Sequence, residues 1–185
     1  MKKILVFLAD GFEECEGLIT VDILRRAGFA VTTASIMEGR KITSSHGVEL
    51  FADAMAGEID PAAYDGVVLP GGIPGTPNLA ACPIVRKTCS AFAAEGKLVA
   101  AICAAPSILG GLGLLQGKKA TVFPGMENTL TGAVPTAGET VRDGSVITSR
   151  SMGTAIPFAL EIVAYFEGRS AAADLARGIC YEHFS

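Results

Sequence analysis

Residues 97–106 read KLVAAICAAP, and the fold class turns on them. A strand-like run (97–102) meets Cys103, and Pro106, well suited to a first helical turn, opens a short helix just beyond. A buried strand that breaks into a helix is the repeating unit of a parallel sheet, because parallel strands need a crossover connection. Ala100, Ala101, Ala104 and Ala105 leave room for a sharp turn of the kind that exposes a nucleophile between strand and helix. Ligands of open α/β sheets bind beyond the carboxyl ends of the strands, and a helix N-terminus there favours a thiolate. A buried structural cysteine fits the same apolar run, so position alone leaves Cys103 open between nucleophile and filler.

The alternation extends both ways. Residues 3–9 read as a strand, and 13–27 as a helix with Leu18, Val21, Ile23 and Leu24 at helical spacing before Gly28. A strand follows at 29–36, a short hairpin or edge strands within 41–54, a buried strand at 64–70 and a helix at about 82–95. Small strands are expected over 120–148, with Asp143-Gly144 at a two-residue hairpin turn, then helices at about 153–167 and 170–180. The pattern predicts a parallel sheet flanked by helices, and 185 residues suit one domain, 1–185.

Charge and cysteine usage narrow the function. Fifteen Lys and Arg against nineteen Asp and Glu give a net charge of −4 with no basic run, so no nucleic-acid-binding patch is expected. The apolar stretch Ile4 to Ala9 is too short for a secretory signal and reads as a strand. The uncharged span Leu98 to Gly117 is about as long as a bilayer requires, but Pro106, Gly110, Gly111, Gly113 and Gly117 interrupt it, so no membrane partner is expected. Five cysteines (15, 82, 89, 103, 180) form no CxxC pair, which fits reduced thiols in a cytoplasm. No cluster of His, Cys and carboxylates has ligand-like spacing, so neither a metal nor a cofactor is expected.

Two further motifs face Cys103 if the strands lie as predicted. PGGIPG (70–75) ends the preceding strand, and its glycines let backbone N–H groups point at a bound oxygen. An ordinary tight turn has the same composition, but adjacent strand ends would let Gly72 and Ala104 N–H converge on an oxyanion. GFEECEG (11–17) sets three glutamates at a helix start, where acid complements the helix dipole. A glutamate that turns inward there would be kept protonated by desolvation as a donor or general acid, and the residues alone do not choose among Glu13, Glu14 and Glu16.

GFEECEG, DILRRAG (22–28), VVLPGGIPG (67–75), AAICAAP (100–106) and TSRSMGTA (148–155) together resemble, in order and spacing, the ThiJ/PfpI superfamily, in the branch of the parkinsonism-associated protein deglycase. The resemblance spans nearly the whole chain. It implies an α/β, flavodoxin-like doubly wound sandwich, a homodimer, a reactive cysteine at Cys103, a protonated Glu16 touching its sulfur, and oxyanion N–H groups from Gly72 and Ala104. Relatives with a catalytic histidine carry it before a proline in the segment matching TVFPG, where this chain has Phe123. His46 falls where many relatives place an arginine bordering the neighbouring subunit's site, and is either a partner-subunit group or a plain surface residue. His183 reads as a solvated residue. Ser151-Met152 replaces the usual Gly-Pro, so Met152 is expected to make a bulkier pocket wall.

Two functions draw on these residues. One is a cysteine-dependent glyoxalase or deglycase acting on a small dicarbonyl such as methylglyoxal, or on its adducts with protein or nucleotide amines. The other is redox sensing or an oxidative-stress chaperone role through oxidation of Cys103.

Overall fold

In the computed structural model, which describes residues 1–184, the first apolar run becomes β1 (Lys3–Leu8), buried from Ile4 onward. Its period of two sends Ile4, Val6 and Leu8 into one hydrophobic core and Leu5, Phe7 and Ala9 into another. Burial on both faces is why the strand is continuously apolar instead of alternating.

Helix α1 (Glu14–Arg26) follows, and β2 (Ala30–Ser35) returns parallel to β1, pairing Lys3 with Ala30 through Leu8 with Ser35. Segment 41–54 divides in two. β3 (Lys41–Thr43) and β4 (Glu49–Phe51) form an antiparallel hairpin outside the main sheet, and β5 (Ala54–Met55) is an edge strand beside β2. β6 (Gly66–Leu69) then pairs with the other side of β1. Helices α2 (Gly75–Ala81) and α3 (Pro83–Ala94) lead to β7 (Leu98–Ile102), and α4 (Pro106–Gly111) follows the cysteine. β8 (Lys119–Ala120) pairs with β9 (Val134–Pro135), while β10 (Thr140–Asp143) and β11 (Val146–Ser149) join the main sheet. Helices α5 (Ala155–Glu167) and α6 (Arg169–Gly178) follow.

The seven-stranded sheet runs β10-β11-β7-β6-β1-β2-β5, antiparallel only between β10 and β11. Helices α1 and α5 cover one face and α3 and α4 the other. This is an α/β fold with a mostly parallel sheet between two helical layers.

Three local features differ from the sequence expectation. Residues 75–81 are helical because Pro77 lies in the first turn, where a missing N–H is tolerated. The β10–β11 hairpin turns on Gly144-Ser145, with Gly144 at φ +62°, so glycine takes the first central position instead of the second. β11 is an interior strand beside β7, not one of a set of small peripheral ones. Among the described residues no helix is long and apolar enough to cross a membrane, and the uncharged span from Leu98 divides into β7, the Cys103 turn and the six residues of α4.

Phe158 on α5 is fully buried between that helix and the sheet. Phe158→Ala should lower unfolding free energy by about 3–5 kcal/mol. Urea denaturation checks this, and a loss below about 1 kcal/mol would contradict the packing described.

Candidate active site

β1, β6 and β7 are consecutive neighbours in the sheet, so the loops leaving their carboxyl ends lie side by side. The direction of winding reverses at β1 and β6, the place where open α/β sheets form a crevice. The first turn of α1, which follows β1, brings Glu16, the β6–α2 loop brings Gly71 and Gly72, and β7 ends just before Cys103.

The first two loops are locked by backbone contacts. Glu13 N–H donates to Gly71 O (2.9 Å) and Gly75 N–H to Gly11 O (3.1 Å). Gly72 adopts φ +94°, and a Cβ there would overlap Glu13 N and Gly11 O, so only glycine fits. The β3–β4 hairpin braces the same loop. Thr43 N–H donates to Asp10 Oδ1 (2.8 Å), Gly11 N–H to Thr43 O (2.8 Å) and Ser45 N–H to Phe12 O (2.8 Å).

Cys103 sits in the left-handed region at φ +63°, an uncommon conformation for a residue with a Cβ that costs about 1–2 kcal/mol. Its N–H donates to Ser149 O (2.9 Å), and its carbonyl accepts from Phe123 N–H (2.8 Å). Helix α4 begins only at Pro106 and has six residues, so the expected contribution of a helix N-terminus gives way to individual amides. Gly72 and Ala104 N–H both act on the sulfur, favouring its charged form.

Glu16 is 1% exposed, one turn into α1. Its Oε2 accepts from Gly71 N–H (2.9 Å), while Oε1 has no full hydrogen-bond partner. The Cys103 thiol and Met152 N–H act on this carboxyl without reaching full hydrogen-bond geometry at Oε1. Burial pushes the Glu16 pKa up to about 7, reinforced by the Glu13 charge and opposed by Cys103, Gly71 and Met152. Burial and the Glu16 carboxylate push the Cys103 thiol up to about 12, against the Ala104 and Gly72 amides. The pair therefore releases one proton near neutrality and a second only in strong alkali. Gly71 makes this contact possible, since a Cβ there would lie 2.6 Å from Cys103 Cβ and 2.7 Å from Glu16 Oε2.

The structure brings Glu16, Gly72, Ala104 and Cys103 together and places Met152 at the rim, 49% exposed. His46 pairs with Glu14 instead, Nδ1 to Oε1 at 3.0 Å, on the hairpin connection. Glu13, Glu14 and His46 have ligand-capable atoms within 4.8 Å of one another, a convergence that chain spacing does not reveal and that exposed groups often show without an ion. A groove of about 490 Å³ lined by Leu18, Ile23, Arg26, Ile156 and Ile179 includes neither Cys103 nor Glu16, and the chemistry locates the site elsewhere. Sequence reasoning gave no individual role to Gly71, although it lies in PGGIPG, or to Ser149, although it lies in TSRSMGTA.

The model of the DJ-1/PfpI family matches residues 2–165. The chain is 37% identical over 180 residues to protein dj-1beta of Drosophila melanogaster, covering 96% of each. It is 35% identical over 169 residues to a deglycase of Thermococcus kodakarensis, covering 87% of this chain and 97% of that one. Against DJ-1 homolog B of Arabidopsis thaliana it is 36% identical over 177 residues but spans 40% of that protein's length. The structure of oxidized Toxoplasma gondii DJ-1 superposes with a TM-score of 0.95 at 32% identity, over 99% of this chain and 100% of that one.

Glu16 ionises near 4.5 in the unfolded chain and about 7 in the folded protein, so between these values the folded state binds more protons. Stability should fall by roughly 3 kcal/mol as pH rises from about 4.5 to 7. Glu16→Gln should remove that part of the slope. Urea unfolding of both proteins across this range checks it, and parallel curves would show that Glu16 is not the titrating group.

Proposed function

The chain belongs to the DJ-1/PfpI family, and on that premise we propose that it is a cysteine-dependent glyoxalase or deglycase acting on reactive dicarbonyls or their amine adducts. The observation that carries this reading is the unpartnered Oε1 of a buried Glu16 beside the Cys103 sulfur. A buried oxygen without a donor is best satisfied by carrying the proton itself, which it then offers to the sulfur. In this reading the single charge that the pair acquires near neutrality is carried in part by the sulfur, whose charged form the Gly72 and Ala104 amides favour.

In this mechanism the thiolate adds to the aldehyde carbon of methylglyoxal, forming a C–S bond, and the carbonyl oxygen takes the Glu16 proton. The same two amides stabilise the developing oxyanion. Glu16, now a carboxylate, removes the proton from the former aldehyde carbon and returns it to the adjacent carbon, while the hydroxyl proton on the former aldehyde oxygen passes to the oxygen of that adjacent carbon. The product is a lactoyl thioester, which water cleaves to lactate, restoring the thiol. With Phe123 where some relatives have histidine, Glu16 is the acid and base of the whole cycle.

Support for this activity comes from the geometry and from the deglycase named among the relatives. Cofactor independence, a cytoplasmic location and a homodimer complete the proposal. The outer groove on α1 and α5 offers an apolar face for self-association. A redox reading uses the same sulfur, since Glu16 and the two amides would equally hold a sulfinate, and an oxidized relative of this fold is known.

Purified protein should convert methylglyoxal to lactate. Cys103→Ser should reduce the rate to background, and Glu16→Gln should lower kcat by about 10²–10⁴-fold. No lactate and no loss of glycation adducts, with Cys103→Ser equal to wild type, would sink the enzyme reading.

A further inference from the structure

Ser149 ends β11 beside Ile102, the last residue of β7, and is fully buried. Its carbonyl accepts the Cys103 N–H, fixing one end of the strained residue. Its hydroxyl donates to Glu139 O (2.7 Å) and lies 3.0 Å from Thr140 Oγ1 and 2.7 Å from Thr154 Oγ1. A hydroxyl has one hydrogen and two lone pairs. Thr140 can donate to Ser149, whose one hydrogen is shared between Glu139 O and Thr154 Oγ1, while the one hydrogen of Thr154 is shared between Ser149 Oγ and Ser151 O (2.9 Å).

Thr154 in turn shapes the segment 151–154. Its Oγ1 accepts from Ser151 N–H (3.2 Å), and its own N–H donates to Ser151 O (2.8 Å). This turn carries Met152, whose N–H acts on the Glu16 carboxyl. Ser149 thus holds the nucleophile's backbone through its carbonyl and, through its hydroxyl, the turn facing the acid.

We propose that the Ser149–Thr154 hydroxyl pair is a positioning device that sets the geometry of Cys103 and Glu16 relative to each other. The inference rests on the nucleophile-and-acid reading of that pair. The titratable groups that bear on Glu16 are Cys103 at the elbow and Glu13 at the start of α1, and Cys15 on α1 feels the Glu16 charge. The β6–α2 loop and the 151–154 turn meet Glu16 through the backbone N–H groups of Gly71 and Met152. Loosening the turn therefore lets the Glu16 carboxyl move out of line with the sulfur, so that it stabilises the thiolate less, and leaves its charged neighbours in place.

The test is alkylation of Cys103 by iodoacetamide as a function of pH, read by mass spectrometry, in wild type, Thr154→Val and Thr154→Ser. Valine keeps the shape without the hydroxyl, and serine keeps the hydroxyl. The half-maximal pH should rise by about half to one unit in Thr154→Val, lowering reactivity at pH 6 about three- to tenfold. Thr154→Ser should follow wild type, and Ser149→Ala should repeat the valine shift. A Thr154→Val profile that coincides with wild type, or a serine variant shifted as far as valine, overturns the inference. Alkylation needs no turnover, so a missing lactate signal with the expected shifts would sink the enzyme reading alone.

Discussion

The carboxyl of Glu16 and the sulfur of Cys103 cannot both be charged where they lie, because neither can be hydrated well enough to offset the repulsion. One proton is therefore confined between two atoms held by separate loops. Cys89 gives a useful contrast, since burial alone pushes its thiol up to about 12 with no carboxylate beside it. Cys103 reaches the same value while only half-buried, with Glu16 adding to the effect of burial, so its acidity follows the protonation of its neighbour.

The rest of the fold keeps that contact in register. Three adjacent parallel strands end together, and their loops are joined mainly through main-chain bonds, which leave few side-chain torsions to relax. The glycines of the β6–α2 loop serve by absence. Gly71 clears the line between carboxyl and sulfur, and Gly72 lets two loop backbones touch. The strained Cys103 backbone is held from β11 and from the Phe123 segment, so its conformation is set by neighbours on both sides.

Much of this was legible along the chain. The strand-to-elbow pattern of 97–106 and the apolar runs at 3–9 and 64–70 specified the parallel sheet, because burial on both faces forces a continuous apolar run. The glutamate that turns inward needed the family resemblance, since Glu13, Glu14 and Glu16 share one helix start and only the orientation of α1 separates them. Helix 75–81 was hidden by the glycine and prolines that also spell a turn. Ser149 was invisible because its role depends on β11 lying beside β7, a pairing that no local pattern encodes.

The strand order also sets a length requirement on the acid. β1 and β7 flank β6, so the loops carrying Glu16 and Cys103 leave the sheet roughly 10 Å apart, twice the inter-strand spacing. The glutamate side chain closes the last part of that distance. Aspartate, shorter by one carbon–carbon bond of about 1.5 Å, would stop short of the sulfur. The sheet thus acts as a ruler, and the choice between two otherwise interchangeable carboxylic acids is a measurement made with it.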